Sequence, residues 1–151
     1  MRYFLQFLVA IQIALLSQAH AQSVTDDQRM LDYLVETSAA KEASAIAAYR
    51  NRSTQLAITE LSELVRIYQA IAGIKSLADA ERQYWYYMLV IANGRLGRAY
   101  GWVPNEKARV ESYERAIQYS QSTNQRPVRS VAEVEALVES VDSNASSLYR
   151  K

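Results

Sequence analysis

The chain has 151 residues with nearly balanced charge: 17 basic and 16 acidic side chains, one histidine and no cysteine. A formal net charge of +1 creates no overall field that would attract nucleic acid or an anionic membrane, so we expect neither as a partner. Because the one histidine lies in the predicted leader described next, the remaining chain has no residues for Ser-His-Asp or Cys-His nucleophilic sites, for thiol redox chemistry, or for zinc sites built on histidine or cysteine.

Residues 1–21 are predicted to be a cleavable signal peptide. Arg2 precedes an apolar run from Phe4 to Leu16, and Ala19-His20-Ala21 is a small-x-small cleavage site. The run is shorter than the roughly 20 residues that a membrane span needs, which disfavours the alternative of an uncleaved anchor. We therefore expect cleavage after Ala21, and a single periplasmic or secreted domain over 22–151 with no stable membrane insertion.

The first half of the predicted domain has helical periodicity. Thr25 and Gln28 have the spacing of a capping box, which predicts a short helix to about Glu36, and Thr37-Ser38 can cap the next helix. The periodic residues of that helix lie on one face as far as Gly73, where the helix is expected to end. A break is possible near residues 51–53. Arg50-Asn51-Arg52 is a small basic spot that we expect to be exposed to solvent.

A central helix is predicted to begin at the Ser76/Asp79 capping pair and to end near Tyr100. Its uncharged stretch, residues 84–92, predicts a helix that is buried on nearly every side. The alternative for this short aromatic run is a buried strand. Asn93-Gly94 is a turn signal at which the helix could break.

Two further helices complete the prediction. Asn105 can cap a helix over 106–121, and a polar loop ends near Pro127. Ser130 and Glu133 form a capping box for a C-terminal capping helix over 131–149. No segment alternates with a period of two, so the predicted fold is all-α with five or six helices.

Within the central hairpin, residues 77–121, a stretch of about residues 90–121 resembles a known repeat. Leu96-Gly97-x-x-Tyr100, a turn over 101–104 and then Tyr113-x-x-Ala116 are similar to the tetratricopeptide repeat, and the turn also resembles Sel1-like repeats. The resemblance implies antiparallel helical hairpins stacked in an array. In such a hairpin Gly97 permits close approach, Tyr100 and Tyr113 fill the groove, and Ala116 avoids a clash.

The hairpin also departs from the repeat pattern at three positions. Arg109 stands where the pattern has alanine, Asn93 replaces a bulky residue, and Gln121 replaces the closing proline. One copy is visible, so the flanking segments would have to act as caps or degenerate repeats. Generic packing of a helical hairpin is the alternative to true kinship.

The sharpest candidate binding surface is a stripe of tyrosine and arginine on the central helix: Tyr84, Tyr87, Arg95 and Arg98. These residue types dominate binding energy at interfaces, and two arginines can hold a carboxylate bidentately. The stripe therefore predicts a groove for a protein or peptide. In the alternative, the tyrosines are core residues and the arginines pair with Glu81, Glu106 or Glu111.

Glutamates are the remaining candidates for general acid–base chemistry, in two clusters: Glu111 with Glu114, and Glu133 with Glu135 and Glu139. A pair about 5–9 Å apart in a cleft would suit hydrolysis of a glycosidic bond in peptidoglycan. The competing interpretation is a solvated face and a helix start, where acids are common. The sequence has no metal-ligand spacing and no phosphate-binding glycine loop, so we expect no metal, cofactor or catalytic residue.

These observations favour a non-enzymatic, exported helical-repeat-like module that binds a protein or peptide in the cell envelope. A peptidoglycan-active hydrolase with paired glutamates is the alternative from another class. An inhibitor or immunity protein of the envelope has the same compact exported form as the binding module and stays open beside it.

Overall fold

The computed structural model describes the backbone of residues 2–148 and the side chains of residues 26–144. Five helices make up this part of the chain, and it contains no strand: α1 (Arg2–Arg50), α2 (Thr54–Ala72), α3 (Asp79–Tyr100), α4 (Glu106–Ser120) and α5 (Val131–Leu148). The predicted all-α class is confirmed, and the strand alternative for residues 84–92 is wrong. The side chains of the predicted cleavage site at Ala21 lie outside the described residues.

Helix α1 is continuous where the sequence predicted a short helix ending near Glu36. The hydroxyl groups of Thr37 and Ser38 do not cap a new helix. They donate to the carbonyl oxygens of Tyr33 and Val35, at 2.7 and 2.8 Å, within the same helix. Hydroxyl groups of this kind can bond to their own helix as well as cap another. The capping box predicted at Thr25 is also wrong, because residue 25 lies inside α1 and does not begin a helix.

The break predicted near residues 51–53 is confirmed, and so is the end of α2 at Gly73. Helix α3 begins three residues after Ser76, so that predicted cap is wrong. The carboxylate of Glu81 instead accepts the backbone N–H of Ala78, at 3.3 Å. This bond occupies one of the N–H groups that a helix start leaves without a partner.

The caps predicted for the last two helices are confirmed. The side chain of Asn105 accepts the N–H of Ala108, at 3.2 Å, and the hydroxyl of Ser130 accepts the N–H of Glu133, also at 3.2 Å. The carboxylate of Glu133 reaches back one residue further than in a standard box and accepts the N–H of Arg129, at 2.6 Å.

Helix α3 lies at the centre, with α2, α4 and α5 packed against it. One hydrophobic cluster joins α1, α2 and one side of α3, through residues such as Leu61, Tyr68 and Leu89. A second cluster joins the other side of α3 to α4 and α5, through Val90, Tyr113, Ala116, Val134 and Val138. Burial of α3 is continuous from Leu89 to Gly97. It therefore lies further along the helix than the predicted 84–92 stretch, where Tyr84 is 54% exposed.

Two glycines one turn apart set the distance between α3 and its neighbours. A Cβ atom on Gly94 would lie 2.6 Å from Val138 Cγ2 and 2.9 Å from Val134 Cγ1, and one on Gly97 would lie 2.9 Å from Tyr113 Cζ. The predicted contact between Gly97 and Tyr113 is confirmed. The helix does not break at Asn93-Gly94, because Asn93 is buried and its side-chain amide donates to the carbonyl of Leu89, at 2.8 Å.

One side-chain placement differs from the sequence prediction. Tyr100 packs against the α1–α2–α3 cluster instead of filling the α3–α4 groove with Tyr113. Two large apolar residues, Val110 and Met30, are 42% and 55% exposed. Among the described residues no helix is both long and apolar enough to cross a membrane.

We expect Gly94→Ala to destabilise the fold by about 1–3 kcal/mol, because overpacking against two valines outweighs the gain of about 1 kcal/mol in helix propensity. Chemical denaturation measures the change. In Gly94→Ala/Val138→Ala the combined loss should be smaller than the sum of the two single losses, because the second change removes the nearest clashing methyl group.

Gly73→Ala is the matched control, since the nearest atom to its new Cβ is the Gln69 carbonyl oxygen at 3.3 Å and the site is exposed. It should change the stability by less than about 0.5 kcal/mol. Equal stability of the Gly94→Ala and Gly73→Ala variants would show that the α3–α5 distance does not depend on Gly94.

Candidate functional site

The four residues of the predicted stripe lie along one side of α3 but in different surroundings. Tyr84 and Arg98 are separated by about 20 Å along the helix axis. Tyr84 borders an apolar groove against Leu31 and Val35 of α1, and Tyr87 is half-buried. The periodicity identified the common side of the helix, but it could not show that α1 packs near one end of that side and α5 near the other.

Arg95 is a buried partner of α5. Its Nε and Nη2 atoms both donate to Oδ1 of Asp142, at 3.1 and 2.7 Å, and 5% of its side chain is exposed. Arg98 reaches α5 one turn further on, where Nη2 donates to the carbonyl of Glu135, at 2.9 Å. The two arginines therefore pair with α5 and not with Glu81, Glu106 or Glu111. Almost none of the Arg95 side chain is left exposed to a ligand.

Arg98 opens onto a cleft of about 570 Å³ between the α1–α2 turn, the α3–α4 turn and α5. We call it the arginine–aromatic cleft. It is lined by Tyr49, Arg50, Arg52, Arg98, Gly101, Trp102, Arg109, Tyr113, Glu135 and Asp142. Its position follows from the fold, because the two short turns meet at the same end of adjacent antiparallel helix pairs.

Aromatic rings form one wall of the arginine–aromatic cleft. Tyr49 of α1 stacks on Trp102 of the α3–α4 turn with 5.3 Å between ring centroids and 27° between ring planes. Trp102 remains 36% exposed. Tyr113 contributes a third ring, whose hydroxyl donates to Oε1 of Glu135, at 2.8 Å. A planar surface and a partly exposed indole are thus available to a bound molecule.

The positive charge of the arginine–aromatic cleft is only partly neutralised. Arg109 pairs with Glu106, at 3.1 Å, and Arg98 is bonded to α5. Arg50 and Arg52 are exposed, and neither forms an ion pair with another residue that the structure describes. The basic spot is therefore exposed, as predicted, and it lies beside the aromatic wall.

Sequence reasoning did not identify Tyr49 or Trp102 as site residues, and it identified Arg50 and Arg52 as an exposed basic spot without assigning them to a binding site. Tyr49 is far from Trp102 in the chain, and no local pattern reveals that the two turns meet. A usable signal was that both turns carry large or charged residues, Arg50-Asn51-Arg52 and Trp102, where small polar residues are usual.

Four of the five candidate catalytic glutamates have a partner among the described residues. Glu133 caps α5, Glu135 accepts the Tyr113 hydroxyl, and Glu111 lies 4.0 Å from Lys107. Glu139 is exposed and lies 3.9 Å from Arg98. Glu114 is exposed on α4. These contacts fit the solvated-face interpretation better than a pair of carboxylates that share a substrate.

No group of three acidic or histidine side chains in the described part of the chain is placed to bind a metal ion. Comparison of the chain with protein-family models, with curated proteins and with solved structures gives no match. The chemistry of the arginine–aromatic cleft is therefore the basis for assigning a function.

Asp142→Ala should destabilise the fold by on the order of 3 kcal/mol, because it leaves the buried Arg95 guanidinium without its carboxylate. The free energy of unfolding in urea measures this. Glu139→Ala, also on α5, removes an exposed carboxylate 3.9 Å from Arg98 and should cost less than about 1 kcal/mol. Similar losses in both variants would contradict the importance of the buried pair.

Tyr113 should contribute a pH-dependent part of the stability. Burial raises the pKa of Tyr113 above its ordinary value of 10.0, and the hydrogen bond to Glu135 raises the pKa further. A group whose pKa is higher in the folded chain stabilises the fold fully below the unfolded pKa, and this contribution is lost as the pH rises above it.

The free energy of unfolding should therefore fall above about pH 10, and Tyr113→Phe should make this fall smaller. The variant should also lose about 1 kcal/mol at neutral pH with the hydrogen bond. Unfolding in urea over a pH series measures both effects. Tyr33→Phe, at an exposed tyrosine, should follow the parent curve, and an unchanged alkaline slope in Tyr113→Phe would refute the assignment.

Proposed function

We propose that the chain is an exported, helical-repeat-like binding module that holds a segment of a protein or peptide in the arginine–aromatic cleft. The observation that carries this proposal is the exposed Trp102, stacked on Tyr49, beside two arginines without an ion pair among the described residues. Tryptophan, tyrosine and arginine are the residues in which binding energy is most often concentrated.

The shape of the cleft also supports a binding role. Its volume of about 570 Å³ lies within the range of sites that hold small molecules or a few side chains. Its walls come from the ends of α1 and α3, from α4 and α5, and from the two turns, so most of the lining residues lie on helices. A preformed site of this kind loses less conformational entropy when a ligand binds.

The resemblance of residues 90–121 to a tetratricopeptide or Sel1-like repeat is consistent with this role, because such arrays present concave surfaces to protein segments. The predicted leader over residues 1–21 makes the module an exported one, in the periplasm or outside the cell. Its partner is then a protein or peptide of the envelope.

Selection from a random peptide library displayed on phage tests this function. Peptides selected on the purified chain should bind at least about tenfold more weakly to Trp102→Ala, because truncation of a central aromatic residue commonly costs 2 kcal/mol or more. Isothermal titration calorimetry measures the affinities, and circular dichroism confirms that the variant stays helical.

Tyr84→Ala is the matched control, since it removes an aromatic residue of the predicted stripe that lies outside the arginine–aromatic cleft. Its affinity for the selected peptides should equal that of the parent chain. If Tyr84→Ala abolishes binding and Trp102→Ala does not, the apolar groove between α1 and α3 is the site and the proposed cleft is wrong.

A further inference from the structure

We infer that the arginine–aromatic cleft selects an acidic peptide, in which two adjacent carboxylate side chains bind Arg50 and Arg52 and a neighbouring apolar side chain lies on Trp102. This inference rests on the proposed function and adds the chemical class of the ligand. Its evidence comes from the α1–α2 turn and from the distribution of charge across the cleft.

The backbone of Arg52 is in a conformation that arginine rarely adopts. Its φ angle is 52°, and among the described residues it is the one non-glycine position with positive φ. Glycine, asparagine and aspartate are the usual occupants of this region because a larger side chain crowds the backbone there. Asn51 is the adjacent residue, yet arginine occupies the strained position. The conformation belongs to the motif that ends α1, in which the N–H of Ser53 donates to the carbonyl of Ala48, at 2.9 Å, and the N–H of Arg52 to the carbonyl of Tyr49, at 3.1 Å. Glycine is usual at this position, so the arginine side chain here has a backbone cost that its charge can offset by binding a ligand.

Arg50 and Arg52 together provide a carboxylate site. Both line the arginine–aromatic cleft, both are exposed, and neither has an ion-pair partner in the part of the chain that the structure describes. A guanidinium group binds a carboxylate through two parallel N–H···O bonds, which gives both attraction and a defined orientation. Two such groups in the same turn can each bind one carboxylate of a peptide that carries two neighbouring acidic residues.

The opposite wall favours a peptide over a polyanion. Glu135 and Asp142 line the cleft on the α5 side, and Asp142 is already bonded to Arg95. A nucleic acid strand that crossed the cleft would bring phosphates against these acids, and the formal charge of the whole chain, +1, adds no attraction. A peptide has acidic side chains for the arginines and backbone N–H groups for Glu135.

Two short, terminally blocked peptides test the inference by isothermal titration calorimetry. One has two adjacent glutamates followed by a phenylalanine, and its twin has glutamines in their place. The glutamate peptide should bind the purified chain at least about tenfold more tightly, as expected for charge-assisted hydrogen bonds, and the advantage should shrink as the salt concentration rises.

Variants at the arginines locate the effect. Arg50→Gln/Arg52→Gln should remove the preference for the glutamate peptide, whereas Arg66→Gln/Arg126→Gln, at two exposed arginines outside the cleft, should preserve it. Arg52→Gly relieves the backbone strain, so it should raise the midpoint of thermal unfolding and weaken binding of the glutamate peptide. Unchanged binding by Arg52→Gly would overturn the role of the strained turn.

The remaining outcomes separate this inference from the proposed function. If both peptides bind equally, or if only non-acidic peptides from the phage library bind, the acidic class is wrong and the binding function stands. If neither peptide binds and the library yields no ligand that depends on Trp102, the proposed function itself is wrong. Binding of a single-stranded oligonucleotide as tightly as the glutamate peptide would assign the cleft to polyanions instead.

Discussion

The fold depends on two glycines of α3, whose lack of a side chain lets neighbouring helices come close. Gly94 lets the valines of α5 lie against the backbone of α3, and Gly97 gives the ring of Tyr113 the same access from α4. The opposite side of α3 has ordinary apolar residues for α1 and α2, such as Leu89 and Leu96. Helix α3 can therefore contribute residues to both hydrophobic clusters, because α4 and α5 approach its backbone more closely than a Cβ atom would allow.

The arginine–aromatic cleft is a consequence of this close approach. Because α4 lies close to α3, the connecting turn is short and places Trp102 beside Tyr49 at the end of α1. Close packing of α5 brings Glu135 within reach of the Tyr113 hydroxyl and Asp142 within reach of Arg95. Arginines near the cleft therefore differ in role. Arg95 is buried and paired with Asp142, whereas Arg50 and Arg52 are exposed and available to a ligand.

The sequence was informative wherever a signal is local. The helical class, the break near residues 51–53, the end at Gly73, and the caps at Asn105 and Ser130 all follow from neighbouring residues, and the structure confirms them. The Gly97–Tyr113 contact was predicted because a hairpin motif encodes both partners. The continuous α1 was missed because a hydroxyl residue bonds equally well to its own helix or to a new one.

The site was less predictable than the fold. Arg98 was identified and does line the cleft, but Arg95 belongs to a buried pair whose partner, Asp142, is distant in the chain. Tyr49, Arg52 and Trp102 come together only because two turns meet, and helical periodicity contains no information about turns that meet. The positive φ angle of Arg52 is a property of the backbone that the residue type does not reveal.

The cleft takes its walls from elements that belong to both hydrophobic clusters: Tyr49 from the α1–α2 side, and Tyr113 and Glu135 from the α4–α5 side. A molecule bound between these walls would contact elements of both clusters at once. By thermodynamic linkage it would stabilise the folded chain, and it would oppose separation of either cluster from α3 during unfolding.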